Sequence, residues 1–267
     1  MAKLKLKASN MSGSHHSLLK ILILIISLSL LSACASVPGG PTKGDPFESY
    51  NRAMFKFNDG LDEYVMRPVA RGYDAVLPGP VKTGVSNFFS NLGDIFVIIN
   101  DLLQFKFKQA VSDTTRFVVN STLGLYGLFD ISTPMGMEKH HEDFGQTLAT
   151  WGIGEGPYIV LPFFGPKTMR GTAGFVIESS YDPVYDIEND DVMWGTVVLR
   201  AIDERYKLLG ASRVVDQAAL DKYSFVRDAF LQHRRNLVHD GNPPQQELAP
   251  PPSSDPEDLD LEKELGL

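Results

Sequence analysis

Apolar residues recur at helical spacing along most of the middle of this chain. The pattern begins with Asp45-Pro46-Phe47-Glu48, whose residue types suit the N-cap, first and third positions of a helix. A face of seven apolar residues follows, and Pro68 is expected to end the helix. The face consists of Phe47, Tyr50, Met54, Phe57, Leu61, Tyr64 and Val65.

A longer apolar face runs through about six turns at residues 81–103, with polar residues on the other faces. A second periodic run occupies residues 107–129. Together the two runs predict a helical hairpin whose turn lies near residues 104–107. Two further helices are predicted at residues 192–209 and 217–238, and strand signals are weak throughout. The pattern therefore predicts an all-α fold.

The apolar face of the hairpin fits either a protein core or a membrane surface. The block at residues 95–99 is apolar all round, but Asp94, Asn100 and Asp101 interrupt it, so it is a poor membrane span. A stripe at helical spacing usually packs in a core. A helix half-immersed in lipid, apolar outside and polar inside, fits the pattern equally well. In that alternative the lipid-facing side chains are Phe88, Phe89, Leu92, Phe96, Ile99 and Leu103.

Residues 147–166 combine many glycines and prolines with strongly apolar side chains. This composition is expected to break regular secondary structure. Irregular backbone at membrane depth is tolerated only where protein or a water-filled cavity satisfies its polar groups. A glycine-rich phosphate loop is excluded, because no Gly-Lys-Ser/Thr follows and no strand–loop–helix unit surrounds the segment.

The first 33 residues have the pattern of a secretory signal peptide. A lysine-rich start precedes an apolar run at residues 21–31, which is too short to span a membrane. The run ends in Leu31-Ser32-Ala33-Cys34, which resembles a bacterial lipobox, so Cys34 is expected to become the first mature residue and to carry lipid. The alternative is an uncleaved anchor in which Cys34 is an ordinary small residue. Ala35 stands where an aspartate would retain a lipoprotein in the inner membrane of enteric bacteria, and so favours the outer membrane.

Charge and cysteine content exclude several classes of protein. The formal net charge is −8, and loss of the four lysines before Cys34 leaves 21 bases against 33 acids, or −12. Such an acidic chain is a poor candidate for binding nucleic acid. With Cys34 as its single cysteine, the chain can form no internal disulfide. Composition predicts a flexible tether at residues 34–44, one helical domain at 45–239 and a disordered, proline-rich acidic tail at 240–267.

The chain offers no strong catalytic motif. His140-His141-Glu142-Asp143 lacks the His-Glu-x-x-His spacing of zinc proteases, and we interpret it as a polar loop that caps the following element. The Gly-x-Ser-x-Gly motif of lipases is absent. The chain is therefore expected not to be an enzyme, and to need no metal or cofactor besides the covalent lipid on Cys34.

Arg116 and Asn120 are four residues apart and share one face of the second hairpin helix. A buried arginine at this position is expected to pair with Asp94 or Asp101 across the hairpin. Contact with a lipid phosphate is the alternative.

A series of short motifs, in order along residues 45–236, resembles the MlaA (VacJ) family of bacterial lipoproteins. The opening motif, DPFESYNRAMFKFN, lies at residues 45–58, and the glycine-rich motif lies at residues 152–165. Gly171 is a departure, because some relatives carry an acid after Arg170, and no salt bridge is transferred there. Further matches are Arg67-Pro68-Val69-Ala70, Ser86-Asn87-Phe88, Thr115-Arg116-Phe117 with Asn120, residues 142–148, Tyr181-Asp182-Pro183-Val184 and Arg227-Asp228-Ala229-Phe230.

The resemblance implies an outer-membrane lipoprotein with a ring-like, monotopic helical body in the inner leaflet. In this family the ring surrounds an amphipathic channel, associates with trimeric porins and passes mislocalised outer-leaflet phospholipid to a soluble periplasmic carrier (MlaC-like). A structural lipoprotein that docks a porin without moving lipid is the alternative. The residues expected at the channel or its opening are Arg116, Asn120, Trp151, Gly152, Gly154, Gly156, Pro157, Phe163 and Phe164.

Overall fold

The computed structural model of the protein describes residues 45–244. The predicted signal peptide, the tether with Cys34 and nearly all of the acidic tail lie outside the described residues. Within residues 45–244 the chain is mostly helical, so the prediction of an all-α fold is confirmed. The departure from it is a small antiparallel hairpin of β1 (Tyr158–Leu161) and β2 (Gly165–Thr168), in a segment for which the sequence predicts only irregular structure.

The first helical unit is continuous and consists of α1 (Glu48–Leu61), a π-helical turn (Asp62–Met66) and α2 (Arg67–Val76). The prediction that Pro68 ends this helix is wrong. Proline lacks an N–H and its ring crowds the carbonyl four residues earlier, so it normally breaks a helix interior. Here the wider π-helical turn changes the hydrogen-bond register just before Pro68, which then occupies the first turn of α2, where a missing donor is tolerated.

The start of α1 also differs from the prediction. Phe47 occupies the capping position in place of Asp45, and its side chain makes no capping bond. Asp45 is instead 1% exposed, and its carboxylate accepts hydrogen bonds from Asn51 Nδ2 at 2.9 Å and from the Tyr223 hydroxyl. The Asp45 carboxylate therefore binds Asn51 and Tyr223 and does not cap α1, although the local sequence pattern predicts that it would.

The predicted helical hairpin is confirmed. It consists of α3 (Gly79–Leu103) and α4 (Phe107–Thr122), joined at residues 104–106. The expected continuation of the second run to residue 129 is wrong. The backbone has positive φ at three successive residues from Leu125, and this conformation turns the chain back along the hairpin.

The second half of the chain adds five helices, a 3₁₀ turn and the β-hairpin to the described region. These elements are α5 (Phe144–Thr150), α6 (Met169–Ser180), the 3₁₀ turn (Pro183–Asp186), α7 (Asp190–Lys207), α8 (Leu209–Ala218) and α9 (Lys222–Val238). The helix predicted at residues 192–209 corresponds to α7. The helix predicted at 217–238 begins later, because Asp221 caps α9 by accepting a hydrogen bond from Tyr223 N at 3.0 Å.

The interior of the described region is strongly polar. Eight apolar residues are buried among residues 45–244, against eighteen polar or charged ones. The buried apolar cluster consists of Tyr158, Val160 and Tyr223, where α1, β1 and α9 meet. Many large apolar side chains are exposed instead. Water-soluble domains show the reverse distribution, so this body presents apolar groups outward.

Candidate functional site

Most of the buried side chains of the α3–α4 hairpin are polar, and large apolar side chains are exposed on its exterior. The buried polar residues are Asn91, Asp94, Asn100, Asp101, Gln104, Asp113, Arg116 and Asn120. The exposed apolar residues include Ile99, Leu102, Phe105, Phe107, Val111 and Val118. The hairpin is therefore inverted relative to one in a water-soluble core, as expected for a helix pair whose outer side meets lipid.

A hydrogen-bond network joins the hairpin interior to α5. Thr147 Oγ1 donates to Asn100 Oδ1 at 2.7 Å, and Gln104 Nε2 lies 3.2 Å from the same hydroxyl oxygen. Gln104 Nε2 also donates to Glu142 Oε2 at 2.9 Å, and Lys106 Nζ lies 2.8 Å from Glu142 Oε1. Because each of these groups is bonded, the polar interior fixes α5 against the hairpin turn.

The interpretation of residues 140–143 as a polar capping loop is confirmed. The Asp143 carboxylate caps α5 by accepting a hydrogen bond from Gln146 N at 2.9 Å. Asp143 also pairs with Arg234 of α9, and this pair holds the pKa of the carboxyl below its ordinary value although burial opposes the shift. Within residues 45–244, no cluster of histidine, cysteine and acidic side chains has the arrangement of a metal site.

Arg116 is buried, but the expected pairing with Asp94 or Asp101 is wrong. Its Nη2 lies 2.8 Å from Asp130 Oδ2, and its Nη1 donates to a carbonyl of the loop that follows α4. Asn120 Nδ2 donates to the other oxygen of Asp130 at 3.2 Å. Arg116 and Asn120 therefore hold the loop at residues 123–143 against the hairpin, and their role at a channel stays a prediction.

Asp101 is buried beside a second carboxylate. Neither of its carboxylate oxygens accepts a hydrogen bond from any of the described residues. Burial and the neighbouring Asp113 carboxylate raise the pKa of Asp101 to about 8. Asp113 Oδ2 in turn lies 2.9 Å from His140 Nδ1. Asp101 thus keeps its proton at neutral pH, when the protonated carboxyl can donate to Asp113.

The glycine-rich segment lies against the turn of the hairpin. Trp151 is half-exposed, and its Nε1 donates to Leu103 O at 3.1 Å. Gly152 and Gly156 both have positive φ, and a Cβ on Gly156 would lie 2.8 Å from Met169 Cβ. Gly152 therefore needs glycine for its backbone conformation, and Gly156 needs it for both backbone conformation and close packing. The channel role predicted for Trp151, Gly152, Gly154, Gly156 and Pro157 stays a prediction.

Asn58 of α1 holds the turn between β1 and β2. Its Nδ2 donates to Leu161 O at 2.9 Å, and its Oδ1 accepts from Phe163 N at 2.8 Å. Phe163 has a φ of 67°, a strained conformation for a residue other than glycine. Phe163 and Phe164 are both mostly exposed. The turn therefore presents two aromatic side chains on a rigid support.

A cavity of about 700 Å³ lies between α1, this β-turn, α6 and α7. The volume falls within the range of roughly 300–1,000 Å³ that is typical of small-molecule sites. Its wall is both apolar and charged. The apolar lining includes Leu61, Met66, Phe163, Phe164, Phe175 and Leu208, and the charged lining consists of Asp62, Lys167, Asp182, Arg200, Glu204 and Arg205.

Most charges of the cavity wall are neutralised by a partner. The pairs are Asp62 with Arg205, Asp182 with Arg200, and Glu204 with Lys207. Lys167 of β2 is the exception among the charged cavity residues, because no carboxylate of residues 45–244 lies within ion-pair distance of it. The cavity therefore carries one uncompensated positive charge in an otherwise paired wall.

The structure brings only part of the predicted channel set to this cavity. Phe163 and Phe164 line it, whereas Arg116 and Asn120 border a much smaller gap inside the hairpin. Sequence reasoning missed the charged lining residues, although α7 carried a signal. Its cavity residues are at positions 197, 200, 201, 204, 205 and 208, which form one helical face of mixed apolar and charged residues.

The residues predicted to face lipid have different environments. Ile99 is 46% exposed, and Phe88, Leu92, Phe96 and Leu103 are partly buried. The prediction for Phe89 is wrong, because this side chain is only 6% exposed. The guanidinium carbon of Arg200 lies 5.3 Å from the centroid of the Phe89 ring. Among residues 45–244, every helix falls short of the length and apolar character that a membrane crossing requires.

These features define a class of helical proteins with a polar interior, an apolar exterior and a cavity whose wall is both apolar and charged. The chain belongs to the MlaA family, because the family model described as MlaA lipoprotein matches residues 43–237. The resemblance read from the sequence motifs is therefore confirmed.

Individual relatives agree with this assignment. The intermembrane phospholipid transport system lipoprotein MlaA of Escherichia coli (strain K12) is 34% identical over 235 residues, which cover 86% of this chain and 92% of that protein. The protein of the same name from Haemophilus influenzae is 32% identical over 232 residues, covering 83% and 91%. A solved structure from work on the structural basis for maintenance of bacterial outer membrane lipid asymmetry matches with a TM-score of 0.64 and 31% identity, covering 73% of this chain and 98% of that one.

Proposed function

We propose that this chain is an outer-membrane lipoprotein that gives mislocalised outer-leaflet phospholipid a sheltered path toward the periplasm. Its relatives in Escherichia coli and Haemophilus influenzae are named as lipoproteins of an intermembrane phospholipid transport system. The observation that carries the proposal to this chain is the cavity of about 700 Å³, whose wall has both charged and apolar parts.

The cavity matches the two halves of a phospholipid. Transfer of a charged headgroup through hydrocarbon is slow, because the group loses its hydrogen-bonding partners. The charged side chains of α7 and β2 replace those partners, and the aromatic side chains of the β-turn contact the acyl chains. These contacts lower the barrier to movement of the headgroup without any catalytic group. In this proposal the protein is therefore not an enzyme and needs no cofactor.

The outward apolar surface supports a position in one leaflet. Each large apolar side chain that moves from water into lipid contributes roughly 1.5–3 kcal/mol, and the hairpin exposes several of them. Acyl chains on Cys34 would add about 0.8 kcal/mol for each buried methylene. We infer that the helical body lies in the periplasmic-facing leaflet of the outer membrane, anchored through Cys34.

We propose two partners for this body, both of them implied by the family resemblance. A trimeric outer-membrane porin would cover part of the exposed apolar surface and hold the body at the correct depth. A soluble periplasmic lipid carrier, similar to MlaC, would receive the phospholipid from the periplasmic side.

Obstruction of the cavity tests the proposal. Ala201 is exposed on the cavity wall, so Ala201→Trp would place an indole in the cavity without overpacking a core. In a strain that lacks the native gene, we expect this variant to leave phospholipid on the cell surface, measured by its accessibility to added phospholipase. Ala75→Trp, on the exposed face of α2, is the matched control and should restore normal asymmetry.

The same experiment separates transport from a purely structural role. A docking lipoprotein that moves no lipid would tolerate Ala201→Trp and still fail when the whole gene is deleted. Normal surface lipid with stable, membrane-bound Ala201→Trp protein would therefore contradict the proposed path and favour the docking alternative.

A further inference from the structure

Lys167 occupies an unusual electrostatic position. It lies on β2 and lines the 700 Å³ cavity together with a smaller neighbouring cavity of about 110 Å³. Its ammonium group lies 5.2 Å from the ring centroid of Phe175, which also lines both cavities. Aromatic contact stabilises a cation weakly compared with a carboxylate. Lys167 is thus a partly buried charge without a full counter-charge.

The charged groups around Lys167 do not supply that counter-charge. In the smaller cavity, Asp143 is already paired with Arg234, whose positive charge opposes that of Lys167. Glu178 accepts hydrogen bonds from Phe144 N at 2.7 Å and Asn100 Nδ2 at 3.0 Å. Burial raises the pKa of Glu178, which further weakens its negative charge.

On the side of the larger cavity, the carboxylates are likewise engaged. Asp62 and Asp182 are held by Arg205 and Arg200. Arg205 Nη1 is itself buried without a hydrogen-bond acceptor among the described residues. Two cationic side chains that line this cavity, one on β2 and one on α7, therefore retain unused hydrogen-bonding capacity.

Desolvation makes this arrangement receptive to an anion. Burial lowers the pKa of Lys167, and Arg234 adds to the effect. An anionic oxygen beside the ammonium would restore the lost solvation and form a charge-assisted hydrogen bond. The adjoining wall of Phe164 and Phe175, whose ring centroids are 4.9 Å apart, suits hydrocarbon and not water. An anion that carries hydrocarbon satisfies both surfaces.

We infer that Lys167 binds the phosphodiester of a glycerophospholipid in this cavity and so selects phosphate-bearing lipids over neutral diacyl lipids. The inference rests on the proposed function, because it names the lipid group that the cavity recognises. Lys167 acts here as a specificity-determining residue, and Arg205 of α7 adds a second cationic group to the cavity lining.

A lipid-competition experiment tests the inference on the full acylated protein in detergent. The protein is incubated with mixed micelles that contain equal amounts of phosphatidylglycerol and of diacylglycerol with the same acyl chains, repurified, and its bound lipid is quantified by mass spectrometry. Wild-type protein should be enriched in phosphatidylglycerol. Lys167→Met retains the apolar stem and should reduce this enrichment by roughly tenfold, the change expected for one lost hydrogen bond to a charged group.

Two control variants define the cause. Lys167→Arg keeps the charge and should preserve the enrichment, and Lys56→Met removes an exposed lysine of α1 and should leave it unchanged. Excess inorganic phosphate distinguishes a lipid site from a plain anion site. Retention of phosphatidylglycerol in its presence supports the inference, whereas displacement by inorganic phosphate overturns the assignment to lipid.

The outcomes separate this inference from the proposed function. Equal phosphatidylglycerol enrichment in wild type and Lys167→Met would overturn the role of Lys167 and leave the lipid path intact. Wild-type protein that retains neither lipid would contradict the proposed function itself.

Discussion

The hydroxyl of Tyr223 donates a hydrogen bond to the carboxylate of Asp45, 178 positions earlier in the chain. Arg227 Nη1 lies 3.6 Å from the same carboxylate, and Asn51 Nδ2 donates to its other oxygen. The last helix therefore fixes the residue at which the described chain begins, next to the start of α1. This contact closes the helical body by joining α9 to the start of α1, which forms one wall of the cavity. Helix α9 also packs on β1, which leads into the β-turn that forms another wall.

Loss of this contact should loosen the closure. Tyr223→Phe removes the donor and leaves the Asp45 carboxylate buried with one partner fewer, so we expect the free energy of unfolding to fall by about 1–3 kcal/mol. Chemical denaturation in detergent, followed by circular dichroism, measures the change. Tyr181→Phe is the control, since Tyr181 is 76% exposed. Equal stability of both variants would show that the Tyr223 hydroxyl does not hold the closure.

Much of the fold could be predicted from periodicity, because apolar residues recur at helical spacing in both helices of the α3–α4 hairpin. The errors occur where a tertiary contact or an irregular helical turn overrides a local pattern. Asp45 has the residue type of an N-cap, but Tyr223 and Asn51 compete for it successfully. Pro68 normally stops a helix, but a π-helical turn accommodates it. Neither outcome follows from the residue types at positions 45 and 68 alone.

The candidate site was less predictable, for a geometric reason. Its wall is assembled from α1, the β-turn, α6 and α7, which are far apart in sequence. Phe163 and Phe164 could be predicted because they stand out in a glycine-rich motif. Lys167 and Arg200 could not be predicted as lining residues. Their importance depends on whether an acidic partner lies nearby in the folded chain, which the sequence does not show.

The buried carboxyl of Asp101 should make stability depend on pH. Its pKa is about 8 in the folded protein, through burial and the Asp113 carboxylate, against an ordinary value of 3.8. At pH values between these two pKa values, Asp101 is ionised in the unfolded chain and protonated in the folded chain. The free energy of unfolding therefore falls as pH rises from about 4 to 8. Above that window the full penalty of ionising a buried group is present.

Asp101→Asn should remove this dependence. The amide is nearly isosteric with the protonated carboxyl and cannot ionise, so we expect the melting temperature to vary less between pH 5 and 8 and to exceed that of wild type at about pH 8. Thermal unfolding over a pH series measures it. Glu63→Gln, an exposed carboxylate on the π-helical turn, should leave the wild-type profile unchanged. A steep profile that persists in Asp101→Asn would assign the effect to another group.

Arg116 should matter for the loop that it binds. Arg116→Met deletes the contacts to Asp130 and to the loop carbonyl and leaves the polar interior of the hairpin short of a cation. We expect a loss of about 3 kcal/mol, near the lower end for a broken buried pair because Asp130 remains partly in water. Limited proteolysis should then cut within residues 123–143. Arg71→Met, on the exposed face of α2, should remain resistant, and resistance of both variants would contradict the structural role.

The hairpin turn offers a direct test of membrane contact. Phe105 is 73% exposed and has a φ of 62°, a conformation that aspartate tolerates better than phenylalanine. Phe105→Asp should therefore fold normally. On a Cys34→Ala background, which removes the proposed acylation site, we expect its binding to lipid vesicles to fall roughly tenfold or more, from the lost transfer of one aromatic side chain. Flotation measures bound protein.

The control for this prediction is an equally exposed apolar residue in a charged neighbourhood. Val76 is 78% exposed at the end of α2, near the Asp74–Lys82 pair. Val76→Asp should bind vesicles as the Cys34→Ala parent does. If Phe105→Asp and Val76→Asp lose binding equally, the effect is one of added negative charge, and the hairpin turn has no special place at the membrane.

Two glycines should respond to alanine with opposite signs. Gly174 of α6 lies where α5 crosses it, and an added Cβ would lie 2.5 Å from Gly145 N. That atom belongs to the backbone and cannot move aside, so Gly174→Ala should separate the helices and lower the free energy of unfolding by about 1–3 kcal/mol. Gly195 of α7 has nothing within 4 Å of such a Cβ. Gly195→Ala should raise the free energy of unfolding by about 0.5–1 kcal/mol, because alanine loses less conformational entropy than glycine when it becomes helical.

The pair also tests how the cavity is supported. Helix α6 carries Phe175 next to Gly174, so a displaced α6 moves one wall of the cavity and the aromatic ring beside Lys167. Gly174→Ala should therefore retain less phospholipid on purification than Gly195→Ala, even at a temperature where both remain folded. Equal lipid retention, with the stability difference intact, would show that the α5–α6 crossing stabilises the fold without setting the shape of the cavity.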